Sequence, residues 1–217
     1  MAYRVTNFVK ITKIEQQKKR KNRYSIFVDG EYSFSVDAEI LLQHNLTAGQ
    51  TVSEKQTAKL LVEDELKRGK IQAFRYLAIR DHSEKELADK LKKKAFSEPV
   101  IRDVISALKE KHFLNDAAFA EIFARNRLIQ KPVGRRRLRF DLGKKGISET
   151  ILDETLTAVY EEFNESELAR QLAEKKMKLL QNQEPQKAKQ KLADFLLRRG
   201  FDWEIVQQIL AEFERHN

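Results

Sequence analysis

The chain has 217 residues, a formal net charge of +9 and no cysteine, with apolar residues at 41% and charged residues at 35%. The missing cysteines exclude disulfides, thiol nucleophiles and thiolate zinc sites. The N-terminal "MAYRVTNFVKITK" lacks the apolar segment of a secretory signal, and no stretch approaches the roughly 18 apolar residues of a membrane helix. A cytoplasmic protein with no membrane contact is expected, and the basic balance favours a polyanionic partner.

The first sixty residues differ from the rest. "VTNFVKITKI" reads as a strand. "RYSIFVDGEYSFSVD" alternates apolar and polar residues around Asp29-Gly30, a strong hairpin pattern. "KKRKN" reads as a basic hairpin loop or strand connection, and Lys18 to Arg23 as either a nucleic-acid contact or a solvated link. "DAEILLQHN" looks like a short helix, and Ser53 with Gln56 opens another that runs to about Lys67.

From about residue 69 the chain repeats. "ELADKLKKKAFSEPVIRDVISAL", "RLRFDLGKKGISETILDETLTAV" and "KLADFLLRRGFDWEIVQQILAEF" align without a gap. Leu87, Leu138 and Leu192 superpose, as do Leu91, Leu142 and Leu196, at periods of 51 and 54 residues. The apolar spacing is helical on both sides of a break. Gly146 and Gly200 suit a left-handed position after the first helix. Ser97, Ser148 and Asp202 suit N-caps of the second. A further helix precedes each pair. "AFRYLAIRDH" leads to a capping box of Ser83 and Glu86, Asp116 caps "DAAFAEIFARNRLIQ", and Asn164 caps "NESELARQLAEKKMKLLQ".

The expected fold is therefore mainly α. Three tandem three-helix repeats, nine helices in all, form an elongated curved array behind a small N-terminal region that contains a β-hairpin. The boundaries are 1–66, 67–115, 116–163 and 164–217. Stacking is needed because one unit of about 50 residues is marginal alone.

Charge segregates along the repeats. "GRRRLRFDLGKK" carries six cations against one Asp, whereas residues 147–169 hold seven acids and no base. Residues 170–199 turn basic again, nine against three. Arginine suits bidentate contacts to phosphate or carboxylate. Arg135, Arg136, Arg137, Arg139, Lys144 and Lys145 are the leading binding candidates. Lys92, Lys93, Lys94, Lys187, Lys191, Arg198 and Arg199 are further candidates, although cations near helix C-termini are also favoured by the helix dipole. Phe74, Tyr76, Phe119 and Phe123 have core spacing. Phe140 lies off the apolar stripe and is expected to pack against a neighbouring repeat, and Trp203 to be partly exposed.

Catalytic patterns are missing. His44, His82, His112 and His216 have no metal-ligand spacing. "GKKG" lacks the spacing of a phosphate loop and follows a helix. Neither enzyme activity nor a cofactor is expected.

"AFRYLAIRDHSEKELADKL", "FLNDAAFAEIFARNR" and "GRRRLRFDLGKKGIS", in that order, resemble the RecX family of regulators of the bacterial RecA recombinase. The likeness covers residues 69–163 by motif and 164–215 by pattern; the N-terminal hairpin region is not part of the shared core, and some longer family members carry a comparable extension. The resemblance implies a non-enzymatic protein that binds in the groove of the RecA filament on single-stranded DNA, and a monomer is expected. It implies modulation, mainly inhibition, of filament extension, ATP hydrolysis, strand exchange and co-protease activity in DNA repair and the SOS response, with weak direct contact to nucleic acid. The competing reading is a direct DNA-binding protein with helix-turn-helix-like repeats. The acidic "SETILDETLTAVYEEF", at the position of a base-reading helix, opposes it because phosphate would repel it.

Overall fold

The computed structural model describes residues 8–215. Residues 5–7 of the expected first strand and His216 lie outside them. The described residues form four strands and ten helices in two compact units. The first unit runs up to Ile79 and includes Ala88–Leu108; the second comprises Arg80–Leu87 and the chain from Lys109 on.

In the first unit, β1 (Phe8–Gln17), β2 (Arg20–Val28), β3 (Glu31–Asp37) and β4 (Thr51–Ser53) make an antiparallel sheet of order β3-β2-β1-β4. Asp29 and Gly30 both have positive φ, 50° and 91°, which is what a tight two-residue hairpin turn between β2 and β3 needs. The basic connection is shorter than expected. Only Lys18 and Lys19 turn, and Arg20–Asn22 already belong to β2. The three-residue β4 is too short to leave a periodic trace in the sequence. Ile11, Ile26, Phe34 and Val36 face Ile40 of helix α1 (Ala38–Gln43) and Leu60 of α2 (Glu54–Leu77) in one apolar cluster.

Helix α2 corrects two expectations at once. Ser53 and Gln56 do form the capping box, but the helix does not stop near Lys67. It continues as one rod through "AFRYL". Only Gly69 interrupts its helix formers, and that glycine sits against the side chains of Val100 and Val104, where an added Cβ would approach them to 3.1–3.3 Å. Close packing outweighs the roughly 1 kcal/mol that a glycine costs inside a helix. Arg23, read as part of the basic loop, instead makes a two-pronged bond to Asp64, with both Nη to Oδ distances 3.1 Å. Asp64 is 2% exposed and also accepts from Arg68 and the Asp37 amide. This pair ties β2 to α2, because a buried carboxylate must be matched.

The repeats follow as α3 (Glu84–Lys92) and α4 (Glu98–Glu110), then α5 (Asp116–Gln130), α6 (Arg135–Lys144) and α7 (Glu149–Glu162), then α8 (Glu165–Lys178), α9 (Pro185–Arg198) and α10 (Trp203–Arg215). The division between units falls inside α3, so the first turn of that helix packs with the repeat that follows. Leu138, Leu142, Leu192, Leu196, Phe201 and Val206 belong to one apolar cluster of the second unit. Gly146 and Gly200 take φ of 83° and 85° at the expected helix ends. Ser148 occupies the N-cap position without a side-chain cap bond, and the Ser97 hydroxyl donates to Glu65 instead.

Candidate binding surface on α6

Two interhelical seams in the second unit position the basic residues, and both follow one plan. In the first seam, the turn after α6 meets the first turn of α3. The Ser83 hydroxyl caps the Glu86 amide and donates to the Lys145 carbonyl at 2.6 Å. In the second, the turn after α9 meets the first turn of α6. Gly134, which aligns with Ser83, donates its amide to the Arg199 carbonyl at 3.0 Å. The approach is tight. A Cβ on Gly134 would collide with the backbone of Gly200 and Phe201, and one on Gly200 with the backbone of Arg137.

Each seam also borrows a carboxylate from a third helix. Asp116, expected to cap its own helix, is displaced from that role by Asn115, whose Oδ1 accepts from Ala117 and Ala118. Asp116 instead accepts the Glu84 amide at 2.9 Å and so caps α3. Glu165 likewise accepts the Arg135 amide at 2.8 Å and caps α6, while Asn164 caps α8 as expected. Burial raises the pKa of both carboxyls. Both satisfy amides that a helix start otherwise leaves orphaned.

The side chains of α6 divide into neutralised and free groups. Leu138 and Leu142 are fully buried. Arg135 pairs with Glu165 at 3.1 Å and covers the ring of Tyr160, whose hydroxyl donates to the Val133 carbonyl at 2.8 Å. Arg139 pairs with Glu149 at 2.6 Å and with Asp153, whose hydrogen bond holds its pKa up. Arg137 reaches Asp141 at 3.0 Å. Lys145 pairs with Glu86. Arg136 is exposed and makes no ion pair or hydrogen bond among the described residues. Lys144 stands 4.3 Å over the Phe140 ring.

Phe140 overturns its expectation. It is 51% exposed and outside the apolar cluster, with Lys144 and Arg137 as its cationic neighbours. Trp203 is half exposed, as expected.

The remaining candidates are more dispersed. In the first unit, Lys92 pairs with Glu98 at 2.6 Å, while Lys93 and Lys94 are exposed. Lys187 bonds Glu184 at 3.1 Å, and Lys191 bonds Gln183 at 2.7 Å. Arg198 points to solvent. Arg199 donates to the Pro132 carbonyl at 3.2 Å and covers Phe195. Burial, followed by repulsion from Arg127 and Arg137, lowers its pKa.

Sequence reading missed the partners in the seams. Glu86 receives Arg80 at 2.9 Å as well as Lys145. Burial pushes this carboxyl up, but the two cations outweigh it and hold it down at about 2. Arg127 completes the second seam by bonding Asp141 at 3.2 Å and the Lys131 carbonyl at 2.7 Å. The repeat register contained a usable signal, because Glu86 aligns with Arg137 and Lys145 with Arg199.

Four family models match in chain order: the regulatory protein RecX N-terminal domain over residues 9–53, then the first, second and third RecX three-helix domains over 70–108, 115–156 and 164–210. The chain belongs to the RecX family. The likeness therefore includes the N-terminal sheet region, the extension that longer family members are expected to carry outside the shared core. The Regulatory protein RecX of Clostridium acetobutylicum is 35% identical, covering 95% of this chain and 97% of its own. That of Clostridium tetani is 36% identical over 93% of each. A crystal structure of regulatory protein RecX matches with a TM-score of 0.70 at 31% identity, covering 93% of this chain and 98% of that one. RecX from Lactobacillus salivarius matches with a TM-score of 0.62 at 27% identity over 70% of this chain.

Proposed function

We propose that this chain is a non-enzymatic regulator, mainly an inhibitor, of the RecA recombinase. It acts as a cytoplasmic monomer in the groove of the RecA filament on single-stranded DNA. Its contacts hinder filament extension, ATP hydrolysis, strand exchange and co-protease activity in DNA repair and the SOS response. The observation that carries the reading is RecX membership over the whole repeat array, together with the unneutralised cations on and beside α6. Arg136, Lys144 and Arg198 are free of carboxylates and available to phosphate or to an acidic protein surface. Lys93 and Lys94 offer a second basic patch. Arg135, Arg139, Lys145, Lys92, Lys187 and Lys191 contribute field more than direct contact, because each already has a polar or charged partner, whereas Arg137 and Arg199 keep guanidinium donors free beside theirs.

The helix-turn-helix alternative is weaker. A base-reading α7 would present Glu154 and Glu161, both exposed, to a phosphate-lined groove.

DNA-dependent ATP hydrolysis by the cognate recombinase on single-stranded DNA tests the reading. Added well below one copy per recombinase monomer, the chain should progressively suppress turnover. Unchanged turnover at equimolar protein would sink the proposal.

A further inference from the structure

The two seams share a backbone plan and differ in charge. At the first, Glu86 lies between Arg80 and Lys145, one carboxylate between two cations. At the second, the aligned position is Arg137. Arg127 and Arg137 share the single carboxylate of Asp141, and a third guanidinium, Arg199, stands close enough for both to repel it. Glu165 is taken by Arg135. Folding does not demand this excess, because the same plan closes at the first seam with a carboxylate in its place.

The cluster is built rather than loose. Arg127 and Arg137 each hold one oxygen of Asp141. Arg127 and Arg199 each donate to one of two successive carbonyls, Lys131 and Pro132. Hydrogen bonds hold Arg127 and Arg199, an ion pair holds Arg137, and donors are left over. Nη2 of Arg127, both Nη atoms of Arg137, and Nε and Nη2 of Arg199 make no hydrogen bond among the described residues. Oriented, partly desolvated guanidinium donors suit a phosphate. Beside them Phe140 offers an open ring next to Arg137 and Lys144, and an open ring beside cations suits a stacked base. Only an unpaired base presents its face in that way, and the exposed carboxylates of α7 disfavour a duplex.

We propose that Arg127, Arg137 and Arg199 bind a backbone phosphate of single-stranded nucleic acid, with Phe140 stacking an adjacent base. The proposal rests on the basic surface described under Proposed function but not on the recombinase as partner.

The test is anisotropy of a labelled oligo-dT with the full-length chain, in the absence of recombinase, alongside thermal melting. Arg137→Glu puts the first seam's carboxylate at the aligned position, with Asp141 still beside it. It should weaken binding at least about tenfold and flatten the salt dependence by about 0.7 per lost phosphate contact, while the melting temperature holds or rises. Phe140→Ala, at an exposed position, should weaken binding without changing the salt slope. Unchanged affinity in either variant would overturn the proposal. If Arg137→Glu also lowers the melting temperature, Phe140→Ala alone decides. Competition by poly-glutamate as effective as that of an oligonucleotide of equal charge would also overturn it, by assigning the cluster to acidic protein. Oligonucleotide binding without recombinase inhibition would leave this site standing and remove the regulator reading; inhibition without oligonucleotide binding would do the reverse.

Discussion

The first and second seams are two solutions to one problem. Both bring the turn after one helix onto the first turn of another, and both borrow a carboxylate, Asp116 or Glu165, to cap that turn. The first closes through side chains: the Ser83 hydroxyl on a carbonyl, and Glu86 between two cations. The second closes through bare backbone at Gly134 and Gly200 and gathers three arginines near one aspartate that pairs with two of them. Shape is held constant while charge changes sign. The first seam thus resembles a structural joint, and the second a joint that also carries a surface.

The largest expected effect probes shape. Gly134→Ala places a Cβ against the backbone of Gly200 and Phe201, which cannot rotate away as a side chain can. A loss of about 3 kcal/mol is expected, the upper range for overpacking. Ser83→Ala at the aligned position should cost about 1–2 kcal/mol, for a lost cap and one hydrogen bond. Urea unfolding of both variants checks the order. Equal costs would mean that the second seam gives way more easily than its backbone contact implies.

The next effect is electrostatic and belongs to the first seam alone. The folded pKa of Glu86, about 2, lies below its ordinary value of 4.5. The stabilisation is therefore fully present above 4.5 and is lost as pH falls from there toward 2. Because the site is partly open to solvent, Glu86→Gln should cost about 1 kcal/mol at neutral pH rather than the full value of the shift. The difference between wild type and variant should shrink as acid is added. Amide exchange at the start of α3, followed from pH 6 to 3, would display it. A difference that stays constant with pH would assign the loss to geometry rather than charge.

Much of this was legible in the sequence. The apolar register, the left-handed glycines and the Asp29-Gly30 hairpin follow from local rules of period and φ. The candidate surface was legible only as a density of cations. Which cations remain free depends on acids distant in the chain, such as Glu165 for Arg135, thirty residues on. The same distance hid the role of Asp116, because a residue one past a cap looks like a cap when the helix it serves is unknown. Arg23 is the opposite case: its surroundings read as a basic loop, and only the buried Asp64, forty-one residues away, makes it structural. The continuation of α2 past Lys67 was hidden by Gly69, which a one-dimensional reading takes for weakness and which packing turns into a contact.

The smallest effect sharpens the shared part of the two seams. Asp116 and Glu165 have folded pKa values above their ordinary ones, each chiefly because of burial. The sign is opposite to that of Glu86: each destabilises at neutral pH, and the penalty is relieved as pH falls through the folded value. An amide keeps the oxygen that accepts the helix-start N–H and removes the buried charge. Asp116→Asn should therefore stabilise slightly, by about 0.3 kcal/mol, since repulsion from Glu84 also disappears. Glu165→Gln should gain less or nothing, because it also gives up the ion pair with Arg135 and leaves one more uncompensated cation at an already basic seam. Melting temperatures at pH 7 would rank the two. A larger gain at Glu165 than at Asp116 would mean that Arg135 repays little of the cost of burying its partner, and that the second seam is less crowded with positive charge than its three arginines imply.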